Sequence, residues 1–258
     1  MDGIDLDHVA LATDDVAAAL GGLVGHLGGR LLEGGDGHGF RWVQVRLGDA
    51  EAGMTIEIIT PWQPERQDFL ARFLTRHGPG PHHLTFKVPD LVATLERFRS
   101  AGFRPVGVNL DDPDWKEAFL LPREAHGTVV QLAEVGPQAP PLTTRLAAAG
   151  EVGVGMPRWW PDPPARPTSG AVLQRVVLQT TSLPSALGLF AGLLGGDPVA
   201  EHLGAVELAW PGGGRVLLVE TEEPGGVVEL HCEGIHAVTR IAGTTCSPVR
   251  GAQLLDRR

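Results

Sequence analysis

The 258-residue sequence is poor in lysine and cysteine: Lys87 and Lys116 are its only lysines, Cys232 and Cys246 its only cysteines. Two cysteines cannot build a disulfide framework, and neither is flanked like a redox motif. Basic residues number 21 against 31 acidic ones, a formal net charge of −10. A nucleic-acid binder needs a basic footprint to meet phosphate, and an anionic membrane surface needs a basic cluster; both are missing. No run approaches the roughly 20 apolar residues of a spanning helix. The start, Met1-Asp2-Gly3-Ile4-Asp5, lacks the positive and apolar regions of a secretory signal. What is left is a cytoplasmic protein that meets small molecules, with 43% apolar residues to fill one or two cores.

A repeat is present in the first half. Leu6 to Ala12 has a strand pattern, followed by Thr13-Asp14-Asp15 and an apolar helix from Val16 to Leu27. Pro81 to Val88 opens a second strand, and Pro89-Asp90 leads into a helix from Leu91 to Ala101 that stops at Gly102. Each unit continues with a Trp-bearing strand, Arg41 to Leu47 and Asp114 to Leu120. Each closes with a β-rich one, Met54 to Thr60 and Thr128 to Ala133. Each helix begins on Asp, whose carboxylate accepts from the free amides of the first turn.

Strand side chains alternate between faces, and this alternation sorts the polar residues. Val9 and Leu11 oppose His8 and Ala10; Leu84 and Phe86 oppose His83 and Thr85. In the closing strands Ile56 and Ile58 oppose Glu57, and Val130 and Leu132 oppose Gln131. One face is apolar; the other carries His8, Glu57, His83 and Gln131. His8 precedes Glu57 by 49 residues and His83 precedes Gln131 by 48, so two equivalent half-sites converge if the units pair about a local two-fold. Imidazole nitrogen and carboxylate oxygen suit one divalent ion, Zn, Co, Ni, Mn or Fe(II), and no thiol is offered. Taken singly, Glu57 and Gln131 also fit ordinary positions on a half-exposed sheet.

These residues resemble the vicinal oxygen chelate superfamily, which includes glyoxalase I, methylmalonyl-CoA epimerase, extradiol dioxygenases and fosfomycin or bleomycin resistance proteins. The nearest likeness is to methylmalonyl-CoA epimerase-like proteins. It is carried by Leu6-Asp7-His8-Val9-Ala10, by Met54 to Pro61, by Phe69 to Gly80 running into Pro81-His82-His83-Leu84, and by Gly127 to Leu132. The resemblance covers about residues 4 to 135 and implies an α+β fold: paired βαβββ units (about 4–62 and 80–135) whose mixed sheet curls into a glyoxalase-like cup. It implies that the metal ligands are His8, Glu57, His83 and Gln131. The substrate it implies is a small carbonyl or acyl compound, a CoA thioester among the candidates, handled by enolate-stabilising isomerisation, epimerisation or lyase chemistry. Relatives of this type usually carry Glu where Gln131 stands, and an amide cannot act as a general base. The base must then come from elsewhere, or the reaction differs.

By the face rule Trp42, Gln44 and Arg46 face the cup, and Trp115, Glu117 and Phe119 hold equivalent places in the second unit. Glu117 is the candidate base; the alternative is a surface carboxylate paired with Lys116 or Arg123. Arg46 can hold a substrate carboxylate in its planar fork, or be a solvated strand-end arginine. Trp42, Gln44 and Trp115 are further candidate substrate contacts. Arg123 and His126, in the loop before the Gln131 strand, are candidates for acyl or phosphate groups. Two other functions stay open: an Fe(II) dioxygenase of the same fold, and a non-catalytic protein that sequesters a ligand. A homodimer is one open assembly.

Residues 136–170 are rich in proline and read as a linker that packs on the fold, with a short helix over Leu142 to Ala149 and adjacent Trp159 and Trp160. Leu173 to Thr181 then aligns residue for residue with Leu6 to Asp14, opening a third, degenerate βαβββ unit over 171–242. Arg175 stands in the place of His8, and Val216 to Val219 offers no counterpart of Glu57. Glu229 and His231 share a strand face there, a spacing common by chance. Residues 243–258 read as a loosely ordered tail.

Overall fold

The computed structural model describes residues 3–149, 164–223 and 225–249. The first unit runs β1 (Asp5–Ala12), α1 (Val16–Leu20) with a π-helical turn (Gly21–His26), β2 (Arg30–Asp36), β3 (Phe40–Gly48) and β4 (Gly53–Pro61). An added helix, α2 (Phe69–His77), precedes the second unit: β5 (Gly80–Lys87), α3 (Leu91–Ser100), β6 (Val106–Asn109), β7 (Trp115–Leu120) and β8 (Val129–Val135). Both expected caps form: Asp15 Oδ1 accepts from the amide of Ala18 and Asp90 Oδ1 from that of Ala93, each at 2.9 Å.

All eight strands join one mixed sheet in the order β2-β3-β4-β1-β5-β8-β7-β6. The α+β architecture that the resemblance implies is the one found. β1 and β5 pair antiparallel at the middle, and each pairs in parallel with the closing strand of its own unit. The four strands bearing His8, Glu57, His83 and Gln131 are therefore neighbours.

The second half holds more than one degenerate unit. α4 (Leu142–Ala148) leads on to β9 (Val172–Thr180), α5 (Leu183–Leu187) with a π-helical turn (Gly188–Leu193), β10 (Asp197–His202), β11 (Ala205–Ala209) and β12 (Arg215–Glu220). There follow β13 (Gly226–Glu233), β14 (Thr239–Ile241) and β15 (Thr244–Pro248). This second sheet has the order β10-β11-β12-β9-β13-β15-β14, matching the first sheet strand for strand except for the edge strand β6. Residues 243–258, expected from sequence to be a loose tail, are thus corrected in part: Thr244–Pro248 pairs in parallel with β13. A fourth unit is present, without a helix between β13 and β14. Trp159 and Trp160 lie outside the described residues. After them the chain does pack on the fold, Arg166 donating twice to the carbonyl of Gly28 and Ala171 N to that of Leu27.

One hydrophobic core joins both halves. Val9, Val45, Leu84 and Phe86 from the first sheet share it with Val176, Leu178, Leu218 and Leu230 from the second. Phe86 lies 5.2 Å from the ring of Trp210 and 6.3 Å from that of Phe190. Backbones also meet closely. A Cβ on Gly243 (φ 73°) would come within 1.8 Å of the Pro79 carbonyl, so only glycine fits there. Each sheet turns its polar face away from this core.

Candidate metal centre

Strand register builds the centre. Glu57 and His83 both lie opposite Ala10, one on each side, while His8 lies opposite Thr85, which in turn faces Gln131. Small Ala10 and Thr85 leave room for four longer side chains to lean together. His8, Glu57, His83 and Gln131 are all buried, the most open being 9% exposed. One ligand atom from each of His8, Glu57 and His83 lies within 4.8 Å of the others. That is close to the spread of donors sharing one ion at roughly 2.0–2.2 Å.

The surrounding hydrogen bonds fit a cation. His8 Nδ1 lies 2.7 Å from Asp7 Oδ2, which leaves Nε2 facing the centre, 2.9 Å from Thr85 Oγ1 and 3.5 Å from Glu57 Oε2. A carboxylate behind a ligating imidazole is a common outer-shell device that fixes the ring and raises its basicity. Asp7 also holds Lys87 Nζ at 2.6 Å. Among the described residues His83 Nε2 is buried with no hydrogen-bond partner, 3.8 Å from Glu57 Oε2. A buried nitrogen aimed at a carboxylate and a second imidazole is the donor a metal would use.

Electrostatics agree. Burial would lower the His8 imidazolium, but the carboxylates of Glu57 and Asp7 outweigh it and raise it to about 9. The same two carboxylates that favour a proton on His8 favour a cation there. His83 is pushed well down by burial and by neighbouring His82 and His8, so it stays a neutral donor. His82 itself falls to about 4 through burial.

The second half-site extends outward from Gln131. Thr85 gives its hydroxyl proton to Gln131 Oε1 (2.6 Å), and Gln131 Nε2 donates to Glu117 Oε2 (2.7 Å). Trp115 Nε1 donates to the same Glu117 oxygen at 3.0 Å. Glu117 thus faces the centre and not Lys116, which pairs with Glu134 at 2.6 Å.

These groups line a cavity of about 1130 Å³ together with Trp42, Gln44, Phe69, Phe73 and Arg145. Gln44 Nε2 donates to Glu57 Oε1 at 3.3 Å. Three expected contacts lie elsewhere. Arg46 is 4% exposed, does not line the cavity, and spends Nε on the carbonyl of Asp49 at the strand end. Arg123 is exposed and outside the lining. His126 is drawn away to the second half, where its Nδ1 lies 2.8 Å from Thr180 Oγ1.

Several cavity residues escape the alternation rule. The β1–β5 register shifts between Ala10 and Leu11, which leaves His82 as an extra, bulged residue that joins His83 on the cup side. A second shift leaves Asp7 unpaired between Leu6 and His8, free to turn onto its neighbour. Arg145 comes from α4, a hundred residues from Gln44, and nothing local in the sequence marks it.

The second cup is built differently. By register Arg175 replaces His8, Leu217 replaces Glu57, Glu229 replaces His83 and Ser247 replaces Gln131. Arg175 Nη1 binds Glu207 at 2.6 Å and its Nε meets His231 Nδ1 at 3.1 Å. A guanidinium fills the place where an ion would sit.

Comparison with known proteins bears on the first half most directly. A family profile described as "Glyoxalase/Bleomycin resistance protein/Dioxygenase superfamily" matches residues 7–119. An "Ethylmalonyl-CoA/methylmalonyl-CoA epimerase" of Cereibacter sphaeroides is 28% identical over 136 residues, covering 50% of this chain and 97% of its own. Among solved structures, the methylmalonyl-CoA epimerase from Mycobacterium tuberculosis is 28% identical, with a TM-score of 0.46 over 52% of this chain and 89% of that one. A hypothetical protein from Staphylococcus aureus is 10% identical but matches 94% of this chain and 98% of its own at a TM-score of 0.63. The fold of both halves together therefore has a counterpart.

Proposed function

Because residues 7–119 form a domain of the Glyoxalase/Bleomycin resistance protein/Dioxygenase superfamily, we propose that the chain is a metal-dependent enzyme that isomerises or epimerises a small acyl or carbonyl compound, a CoA thioester being the first candidate. The observation that carries this reading is the convergence of His8, Glu57 and His83, with His83 Nε2 buried and unpartnered, in the wall of a large cavity. His8, Glu57, His83 and Gln131 would hold a divalent ion. When bound, the ion supplies Lewis-acid stabilisation of negative charge on a substrate carbonyl oxygen.

Glu117 is the proton acceptor. Its Oε2 is held by Gln131 and Trp115, so the carboxylate is oriented before substrate arrives. It takes the proton from the carbon beside the carbonyl; in an isomerisation it returns one to the neighbouring atom, and in an epimerisation the new proton arrives on the opposite face of the enolate from a second donor. Phe69 and Phe73 of α2, with Trp42, wall the cavity and exclude water from the acyl group. Gln131 holds both Thr85 and Glu117, which divides orientation from proton transfer where relatives use a single Glu.

The test is proton exchange. Metal-loaded protein incubated in D₂O with methylmalonyl-CoA or ethylmalonyl-CoA should place deuterium next to the carbonyl. Glu117→Gln should slow this about 10²- to 10⁴-fold while keeping its ion. An unchanged rate clears Glu117 of the role.

A second reading rests on the wall chemistry. Trp42, Trp115 and Phe40 share the lining with Glu33, Asp36 and Asp114, a surround suited to sequestering a cationic aromatic compound. Ligand binding that persists undiminished in EDTA, without turnover, would favour it.

A further inference from the structure

We propose that Arg145 is the specificity residue of this cavity, the group that selects substrates bearing a free carboxylate, and that Glu33 holds its place until such a substrate arrives. The proposal rests on the functional reading above and names its substrate class. Arg145 projects from α4, beyond the family-matched segment, and lines the cavity with its side chain 10% exposed. Its Nη2 serves two partners at once, Glu33 Oε1 at 2.5 Å and Gln44 Oε1. Its Nε is buried and has none among the described residues.

Nε and Nη2 form one edge of the guanidinium, and a carboxylate lying along that edge would engage both. Glu33 engages only Nη2 and is itself 40% exposed, so it is a poor permanent partner on an outer strand of the sheet. Of the other cations lining the cavity, Lys87 is paired with Asp7 at 2.6 Å and Arg72 with Asp68 at 2.9 Å, while Arg76 stands one turn along from Arg72 on α2. One side chain, Gln44, separates Arg145 from Glu57. A carboxylate on Arg145 therefore leaves the rest of a short acyl chain over the His8–Glu57–His83 centre. α4 then acts as a strap that brings a selecting cation to a cup whose own strands supply none at that point.

The probes are malonate and its uncharged analogue malonamide, titrated calorimetrically into metal-loaded protein with the metal content of every sample measured. Wild type should bind malonate at least about tenfold more tightly than malonamide. Arg145→Gln should remove that preference by weakening malonate alone. Glu33→Gln, at a half-exposed position, should tighten malonate about threefold or more by clearing the fork. Malonate affinity indifferent to Arg145→Gln, or an equal loss for both probes, overturns the proposal. Should Arg145→Gln fail to fold, the Glu33→Gln result decides: tighter binding supports the proposal, and unchanged or weaker binding overturns it. Failure of the metal reading looks different: malonate binding that still depends on Arg145 in protein carrying no ion.

Discussion

Asp7→Asn isolates the support behind the centre from the centre itself. Asp7 touches His8 Nδ1 at 2.7 Å and is not among the donor groups that converge on one another. The carboxylate can only accept there, so an ion binding His8 displaces the Nε2 proton, which faces Thr85 Oγ1 at 2.9 Å, and leaves the proton on Nδ1. An asparagine amide can donate into Nδ1 instead, which moves the ring proton to Nε2, the donor nitrogen. Loss of such an outer-shell carboxylate typically costs 10- to 100-fold in metal affinity, or about 1.4–2.7 kcal/mol. The second loss, the Asp7–Lys87 ion pair, is mostly buried, with side chains 15% and 19% exposed, and should cost about 1–3 kcal/mol of fold stability. Competition of metal-free protein against a chromophoric chelator, with Co(II) and with Zn(II), measures the first quantity; thermal unfolding of the same protein measures the second. Affinity unchanged within about twofold would refute the role of Asp7.

Other consequences concern the joint between the two halves. Phe86→Ala removes a fully buried ring packed on Trp210 and Phe190, and should destabilise the chain by about 3–5 kcal/mol in one denaturant transition common to both sheets. Separate transitions, with only one moving, would show that the halves fold independently. His126, held by burial below its ordinary value of 6.5, is neutral in the folded chain and protonates more readily once unfolded. Its contribution to stability is complete above pH 6.5 and is lost as pH falls from there through the lower folded value. His126→Asn, which tolerates the positive φ of 55°, should flatten that part of the stability–pH curve; an unaltered curve would assign the slope to other groups.

Alternation along four strands was enough to put His8, Glu57, His83 and Gln131 on one face, because the sheet has a helix-covered apolar side and a single register that buries it. The rule does not extend to His82 and Asp7, which period two would count with the apolar face although both line the cavity, since a bulge adds a residue that such counting cannot see. It also placed Arg46 correctly on the cup face of its strand yet not in the cavity, because a strand end lies beyond the wall. The fourth unit was hidden for a different reason. β14 is three residues long, and in Thr244-Thr245-Cys246-Ser247-Pro248 only Cys246 carries an apolar side chain into the core. Arg145 depends on where α4 lands, which is a tertiary fact with no local signature. The likeness of β9 to β1, in contrast, was legible down to the residue, and the structure adds that both following helices widen into a π turn at a glycine, Gly21 and Gly188.

The most direct test is elemental analysis of protein purified without chelator, wild type beside His83→Ala. About one divalent ion per chain in wild type, absent from a folded His83→Ala variant, is the predicted result. A wild-type chain that takes up no divalent ion at neutral pH, or a variant that binds it equally well, would contradict a centre made by His8, Glu57 and His83.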